Sequence, residues 1–257
     1  MKKNGCLLSA SLLLAGVLVI GCGEINRNTE KEPPAVESIA DFGADAQQES
    51  QGLGRTEPDT DPDALWTSEG RPDFDALEQI NPDIYAWLEI TGTDISFPVL
   101  QSAEDISGYL THNIYGEEDE NGCIYTEYCN SRDFSDPNTI IYGRNTPEMF
   151  GRLHQFRDRD FFDTHREVII YLKDRILYGR IFGAYVYDDR HLIATYDFSD
   201  KEVFNNYLED IFMIRQMDAF FDNTAEVTAE NNILTLSTGV TGEPDRRYLV
   251  QAVLKEK

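Results

Sequence analysis

From Phe74 onward the chain is a succession of short apolar runs, alternating with polar residues and cut by turn signals, without the strand–helix–strand rhythm of a doubly wound fold. Ile95, Phe97 and Val99 alternate, as do the apolar positions of residues 168–172. Residues 176–187 are rich in β-branched and aromatic side chains, which suits a long strand. Residues 233–237 and 248–254 close the chain as two further strands. One helix stands out late in the chain. Phe204, Tyr207, Leu208, Ile211 and Phe212 recur on one helical face behind a Ser199 or Asp200 cap. A second apolar series, from Phe74 through Ile84, Trp87 and Leu88, has broadly helical spacing, with Pro82 interrupting or restarting the helix. The pattern predicts a mainly β domain, an antiparallel barrel or sandwich with helical insertions.

Charge narrows the function. The 257 residues include 47 acidic and 22 basic side chains, a formal net charge of −25. Nucleic-acid binding needs a basic face, so no nucleic-acid partner is expected. Charge-driven docking to an anionic membrane is excluded on the same ground. A 41% hydrophobic and 11% aromatic content is enough for a real core.

The N-terminal segment reads as an address. Lys2 and Lys3 precede an apolar stretch, residues 7–20, that is short for a membrane span of roughly 20 residues. Residues 1–21 are therefore expected to be a secretory signal peptide. The ending Val19-Ile20-Gly21-Cys22 resembles the lipobox of bacterial lipoproteins, which implies cleavage before Cys22 and lipidation of its thiol. Residues 22–73 follow as an acidic linker rich in Glu, Asp, Gln, Ser, Thr, Gly and Pro. Such a composition predicts disorder and a lipid-anchored tether that holds a domain, residues 74–257, off the membrane.

Cysteine chemistry is sparse. Cys6 leaves with the signal peptide, and Cys123 and Cys129 remain. If residues 123–128 are one extended strand, the two thiols stand about 20 Å apart, beyond disulfide reach unless the chain turns back. No cofactor or metal is expected, since neither cysteine has a CxxC partner and the four histidines are scattered. The acidic run 117–120, and Asp188 and Asp189, read as solvated loops without EF-hand spacing.

Several segments together resemble the class B sortases. They are residues 81–90, 92–101, 109–116, 138–143, 149–153, 234–238 and 247–250, in order and with consistent spacing across 74–257. The resemblance implies a sortase-like eight-stranded β-barrel with N-terminal helices and a long helix inserted late in the chain, over residues 204–214. It also implies a cysteine transpeptidase, which cleaves a sorting signal, holds the product as a thioester and passes it to an amine. That chemistry uses a histidine after Tyr-Gly, a cysteine after Leu-Ser-Thr and an arginine on the next strand.

At these positions the chain departs from the pattern. Tyr142-Gly143 is followed by Arg144, and Leu236-Ser237-Thr238 by Gly239; only Arg247 matches. Without a thiolate there is no acyl intermediate, and an arginine stays protonated where a histidine would shuttle a proton. Ser237 and Thr238 have no identified base and read as ordinary strand residues, and Cys129 as a small buried hydrophobe. His112 reads as structural, and His154, His165 and His191 as surface residues. The expected catalytic set is thus none intact.

The leading expectation is a pseudo-sortase on the extracellular face of the bacterial cytoplasmic membrane, lipid-anchored at Cys22, binding a surface-protein sorting signal, pilin or peptidoglycan peptide. The alternatives are an active enzyme with an unrecognised nucleophile and a structural partner in an envelope or pilus assembly. Arg144 and Arg247 are expected to converge beside Gly239. There they either bind a carboxylate or are neutralised by Glu243, Asp245 or Glu148.

Overall fold

The computed structural model describes residues 65–103 and 107–256. The signal peptide, Cys22 and most of the linker lie outside the described residues. Packing begins upstream of Phe74. Trp66 bridges to Pro72 and sets its ring edge-on against Trp87 at 5.4 Å and Tyr171 at 5.9 Å.

Helix α1 (Phe74–Ile80) starts at Asp73, whose carboxylate accepts from the amides of Asp75 and Ala76 at 3.1 Å. It ends before Pro82, and the next residues form strand β1 (Ile84–Ile90) rather than a restarted helix. The helical spacing of Ile84, Trp87 and Leu88 arises because β1 is buried on both faces. Leu88 and Ile90 enter the barrel interior, while Ile84 and Trp87 pack beneath α1.

The remaining strands are β2 (Ser96–Leu100), β3 (Ile124–Thr126), β4 (Asn138–Tyr142), β5 (Glu167–Leu172), β6 (Ile176–Asp188), β7 (Phe220–Phe221), β8 (Ile233–Val240) and β9 (Glu243–Glu256). Their order is β5-β1-β2-β3-β4-β8-β9-β6, and a β5–β6 pairing closes eight strands into a barrel. The short β7 pairs with the far half of β6. Closure removes free sheet edges. Two of the pairings, β2 with β3 and β4 with β8, are parallel, so the barrel is mixed and not purely antiparallel.

Alternation along β8 and β9 sorts their side chains. Leu234, Leu236, Val250 and Ala252 fill the interior, with Phe150 and Leu153 of a 3-10 helix (Phe150–Arg157) plugging one end. A short helix α2 (Arg159–Thr164) follows, capped by Asp158. The opposite face of β8 and β9 carries Ile233, Leu249 and Val253. Helix α4 (Lys201–Phe212) covers it with Phe204, Tyr207, Leu208 and Ile211, after an Asp200 cap. Under α4 the buried polar groups are satisfied mutually. Tyr185 donates to Gln251 Oε1 at 2.7 Å, and Gln251 Nε2 donates to the Tyr207 hydroxyl at 2.9 Å and to Thr235 Oγ1 at 2.8 Å.

Candidate functional site

The parallel pairing of β4 with β8 builds the site. Tyr142 lies opposite Ser237, and the Gly143 amide donates to the Ser237 carbonyl at 3.1 Å, so both strands run out together at one end of the barrel. Arg144 and Gly239 each follow the Tyr142–Ser237 pair by two residues. Gly143 is required by close approach, because a Cβ there would sit 2.6 Å from the Phe150 ring.

On the outer face at this end lies a cleft of about 290 Å³. Tyr125, Tyr142 and Ile140 form one wall, and Tyr187 and Leu249 another. Its floor runs along Ser237, Thr238 and Gly239. Over it passes the loop from β6 into the short helix α3 (Leu192–Thr195), carrying Asp188 to His191.

Arg247 lines this cleft and is the register partner of Gly239 across the β8–β9 ladder. Its Nη1 donates to the carbonyls of Pro244 at 2.8 Å and Arg246 at 2.9 Å. Arg144 is at the rim instead, donating from Nη1 to the Leu110 carbonyl at 2.9 Å, and so holds the 3-10 turn Ser107–Leu110 whose last residue lines the cleft. The sequence expectation set the two arginines side by side around Gly239; only Arg247 is part of the cleft lining. The three acids expected to neutralise them do not. Glu148 pairs with Arg152 at 3.0 Å, and among the described residues Glu243 and Asp245 pair with neither arginine.

Two histidines read from sequence as surface residues border the site. His154 donates from Nε2 to the Gly239 carbonyl at 3.0 Å and lies over the buried Tyr248 ring at 4.9 Å. Burial holds its pKa below the ordinary value. His191 bonds Glu127 Oε1 through Nε2 at 2.7 Å, and its Nδ1 accepts the Ala194 amide at the start of α3. The Glu127 carboxylate raises its pKa. Glu127 and His191 are 64 positions apart, so no local pattern could pair them. His165 stacks on Phe161 at 4.1 Å, away from the cleft, and His112 bonds the Gly108 carbonyl at 3.1 Å within its own turn.

Two further charged groups of the lining pair with each other. Arg190 grips Asp188 through Nε at 2.6 Å and lies over the Tyr187 ring at 5.3 Å. Asp188, expected to be a solvated loop residue, is thereby held below the usual carboxylate range. Tyr142 stacks on Tyr125 at 5.6 Å, and its hydroxyl is buried without a hydrogen-bond partner. Burial raises its pKa strongly, against the lowering field of Arg247.

Cys123 and Cys129 are free thiols. Strand β3 ends at Thr126 and the chain turns, but the thiols stay separate. Buried Cys123 donates to the His112 carbonyl at 3.2 Å, and Cys129 to Glu127 Oε2 at 3.6 Å. Burial pushes the Cys123 thiol up to about 12, which leaves no reactive thiolate. Among the described residues no cluster of His, Cys, Asp and Glu is suited to a metal ion.

A closed eight-stranded barrel, mixed in direction, with an outer cleft where a parallel strand pair ends, is the architecture of sortases. Solved structures agree. Sortase B from Bacillus anthracis in complex with AAEK1 superposes with a TM-score of 0.63 at 31% identity, covering 75% of this chain and 88% of that one. Clostridium perfringens sortase B gives 0.62 at 28% identity, covering 72% and 100%. No family model matches the chain. It is 33% identical over 174 residues to Sortase B of Listeria monocytogenes, 66% of this chain and 68% of the relative. To Sortase B of Staphylococcus aureus it is 27% identical over 186 residues, 71% and 74% respectively. The chain belongs to the sortase B family.

Proposed function

We propose that this protein is a pseudo-sortase, which binds a sorting-signal, pilin or cell-wall peptide in the cleft without transferring it. One observation carries the reading. The floor of the cleft is Ser237, Thr238 and Gly239, and neither described free thiol is among the lining residues. Transpeptidation through a thioester needs a sulfur at the attack position and a group that exchanges a proton. Gly239 supplies no such atom, and Arg144 is a permanent cation bonded to a backbone carbonyl. The hydroxyl of Thr238 donates to the Gly143 carbonyl at 2.9 Å, so it is engaged in joining β8 to β4. Aromatic walls and a cationic edge, by contrast, suit a bound peptide.

Anchoring belongs to the same proposal. Cys22 carries the lipid and holds the domain on the extracellular face of the bacterial cytoplasmic membrane. Cys22→Ser then releases the protein into the medium or leaves its precursor uncut, and acyl mass is found on the wild-type N-terminal peptide. Soluble wild-type protein beginning at another residue overturns the anchor.

The test of the enzyme reading is incubation of the purified protein with sorting-signal peptides and an amine acceptor, followed by mass spectrometry. No ligated product is expected. Product that persists after alkylation of Cys123 and Cys129 overturns it in favour of an enzyme with a non-thiol nucleophile.

A further inference from the structure

The basic side chains that line the cleft are not equivalent. Arg190 holds Asp188 and His191 holds Glu127. Arg247 makes no ion pair among the described residues, and only its Nη1 is engaged, on two backbone carbonyls. Its Nε and Nη2 retain their donors for something else. A second donor stands in the same cleft. The Tyr142 hydroxyl is buried without a partner, and a buried hydroxyl left unsatisfied destabilises the fold. The two belong to one site, since both residues line the cleft.

Opposite Arg247 the floor is open at Gly239. A Cβ built on Gly239 would meet only the Cβ of Asn145, at 3.7 Å. A guanidinium edge and a phenol hydroxyl around an empty space call for an acceptor with two oxygens. A carboxylate has that number and the opposite charge, and pairs with arginine through two parallel bonds. A mid-chain peptide carbonyl brings one oxygen and no charge. A C-terminal amide replaces one acceptor with an NH2 group pointed at a cation.

Resting on the peptide-binding reading above, we infer that the cleft takes a peptide ending in a free carboxylate, seated over Gly239 between Arg247 and the Tyr142 hydroxyl. The apolar walls at Tyr125, Ile140, Tyr187 and Leu249 receive the residues before that terminus. Such a ligand is a cleaved chain end, whereas a substrate awaiting cleavage is continuous through this point. Asp189, exposed in the covering loop and without an ion pair among the described residues, opposes the incoming anion.

The experiment is affinity selection by the full chain from a random pentapeptide library, synthesised once as free acids and once as C-terminal amides. Retention of the acids at least ten-fold above the amides is expected. Arg247→Gln and, independently, Tyr142→Phe should abolish that preference, while Asp189→Asn should increase it. Tyr142→Phe removes one oxygen only, so it keeps the test valid if Arg247→Gln fails to fold. Equal retention of acids and amides overturns the carboxylate site and leaves peptide binding intact. Retention of neither overturns both readings.

Discussion

Gly239 faces Arg247 across the β8–β9 ladder, and nothing packs where a Gly239 side chain would project except the Cβ of Asn145 at 3.7 Å. Gly239 is not among the residues with positive φ. Neither packing nor backbone conformation demands a glycine there. Gly239→Ala is therefore expected to stabilise the domain by about 0.4–1 kcal/mol through the unfolded chain, read from urea melts. Gly239→Cys should fold equally well, and iodoacetamide should modify its thiol faster than Cys123, which is buried with its pKa pushed up. A strongly destabilised Gly239→Ala would show that the open space is filled in solution.

Gly143, four residues before Pro147, gives the opposite result. A Cβ there meets the Phe150 ring at 2.6 Å and Ile124 Cγ2 at 2.9 Å. Gly143→Ala is expected to cost about 1–3 kcal/mol by overpacking. The same melts provide the comparison, and a neutral outcome would mean that the Phe150 helix can shift away from β4.

Arg144 acts on the cleft through Leu110. Arg144→Ala removes the donor to the Leu110 carbonyl and should lower global stability by only about 0.5–1.5 kcal/mol. The larger effect is local. Amide hydrogen exchange over residues 108–111 should quicken while that of β8 and β9 stays unchanged. Uniform protection across the turn in the variant would mean that Arg144 does not hold it.

His191 and His154 should titrate on opposite sides of the ordinary value of 6.5. The bond to Glu127 raises His191, so the stability of that pair is full below 6.5 and is lost as pH rises through the higher folded-state value. Burial lowers His154. Stability tied to its neutral ring is present above 6.5 and is lost as pH falls through the lower value. Side-chain NMR titration reads both, and Glu127→Gln should bring only His191 back toward 6.5. Coincident midpoints in the wild type would contradict the two environments.

The sequence was most informative where one face of an element meets one surface. Strands β5, β6, β8 and β9 and the α4 stripe of Phe204, Tyr207, Leu208 and Ile211 follow directly from periodicity. Strand β1 did not, because Ile84 and Trp87 are covered by α1 while Leu88 and Ile90 face the barrel, and burial on both sides imitates a helix. Arg247 and Gly239 were singled out by resemblance, and the ladder sets them opposite each other. The roles of His154, His191 and Glu127 lay beyond local reading. The Gly239 carbonyl reaches His154 from 85 positions away, and polar surroundings in sequence say nothing of the ring of Tyr248 overhead.

The parallel alignment of β4 with β8 also governs the order of assembly. Bonds such as that from Thr238 to Gly143 join residues 95 positions apart, whereas the β5–β6 hairpin closes locally. Loop closure is paid for before distant contacts reward it, so pairing of these distant strands is slower than closure of a local hairpin. Hairpins can form early. The walls of the cleft come into being only when the two distant strands meet, so a nascent or partly unfolded chain has local sheet and no cleft.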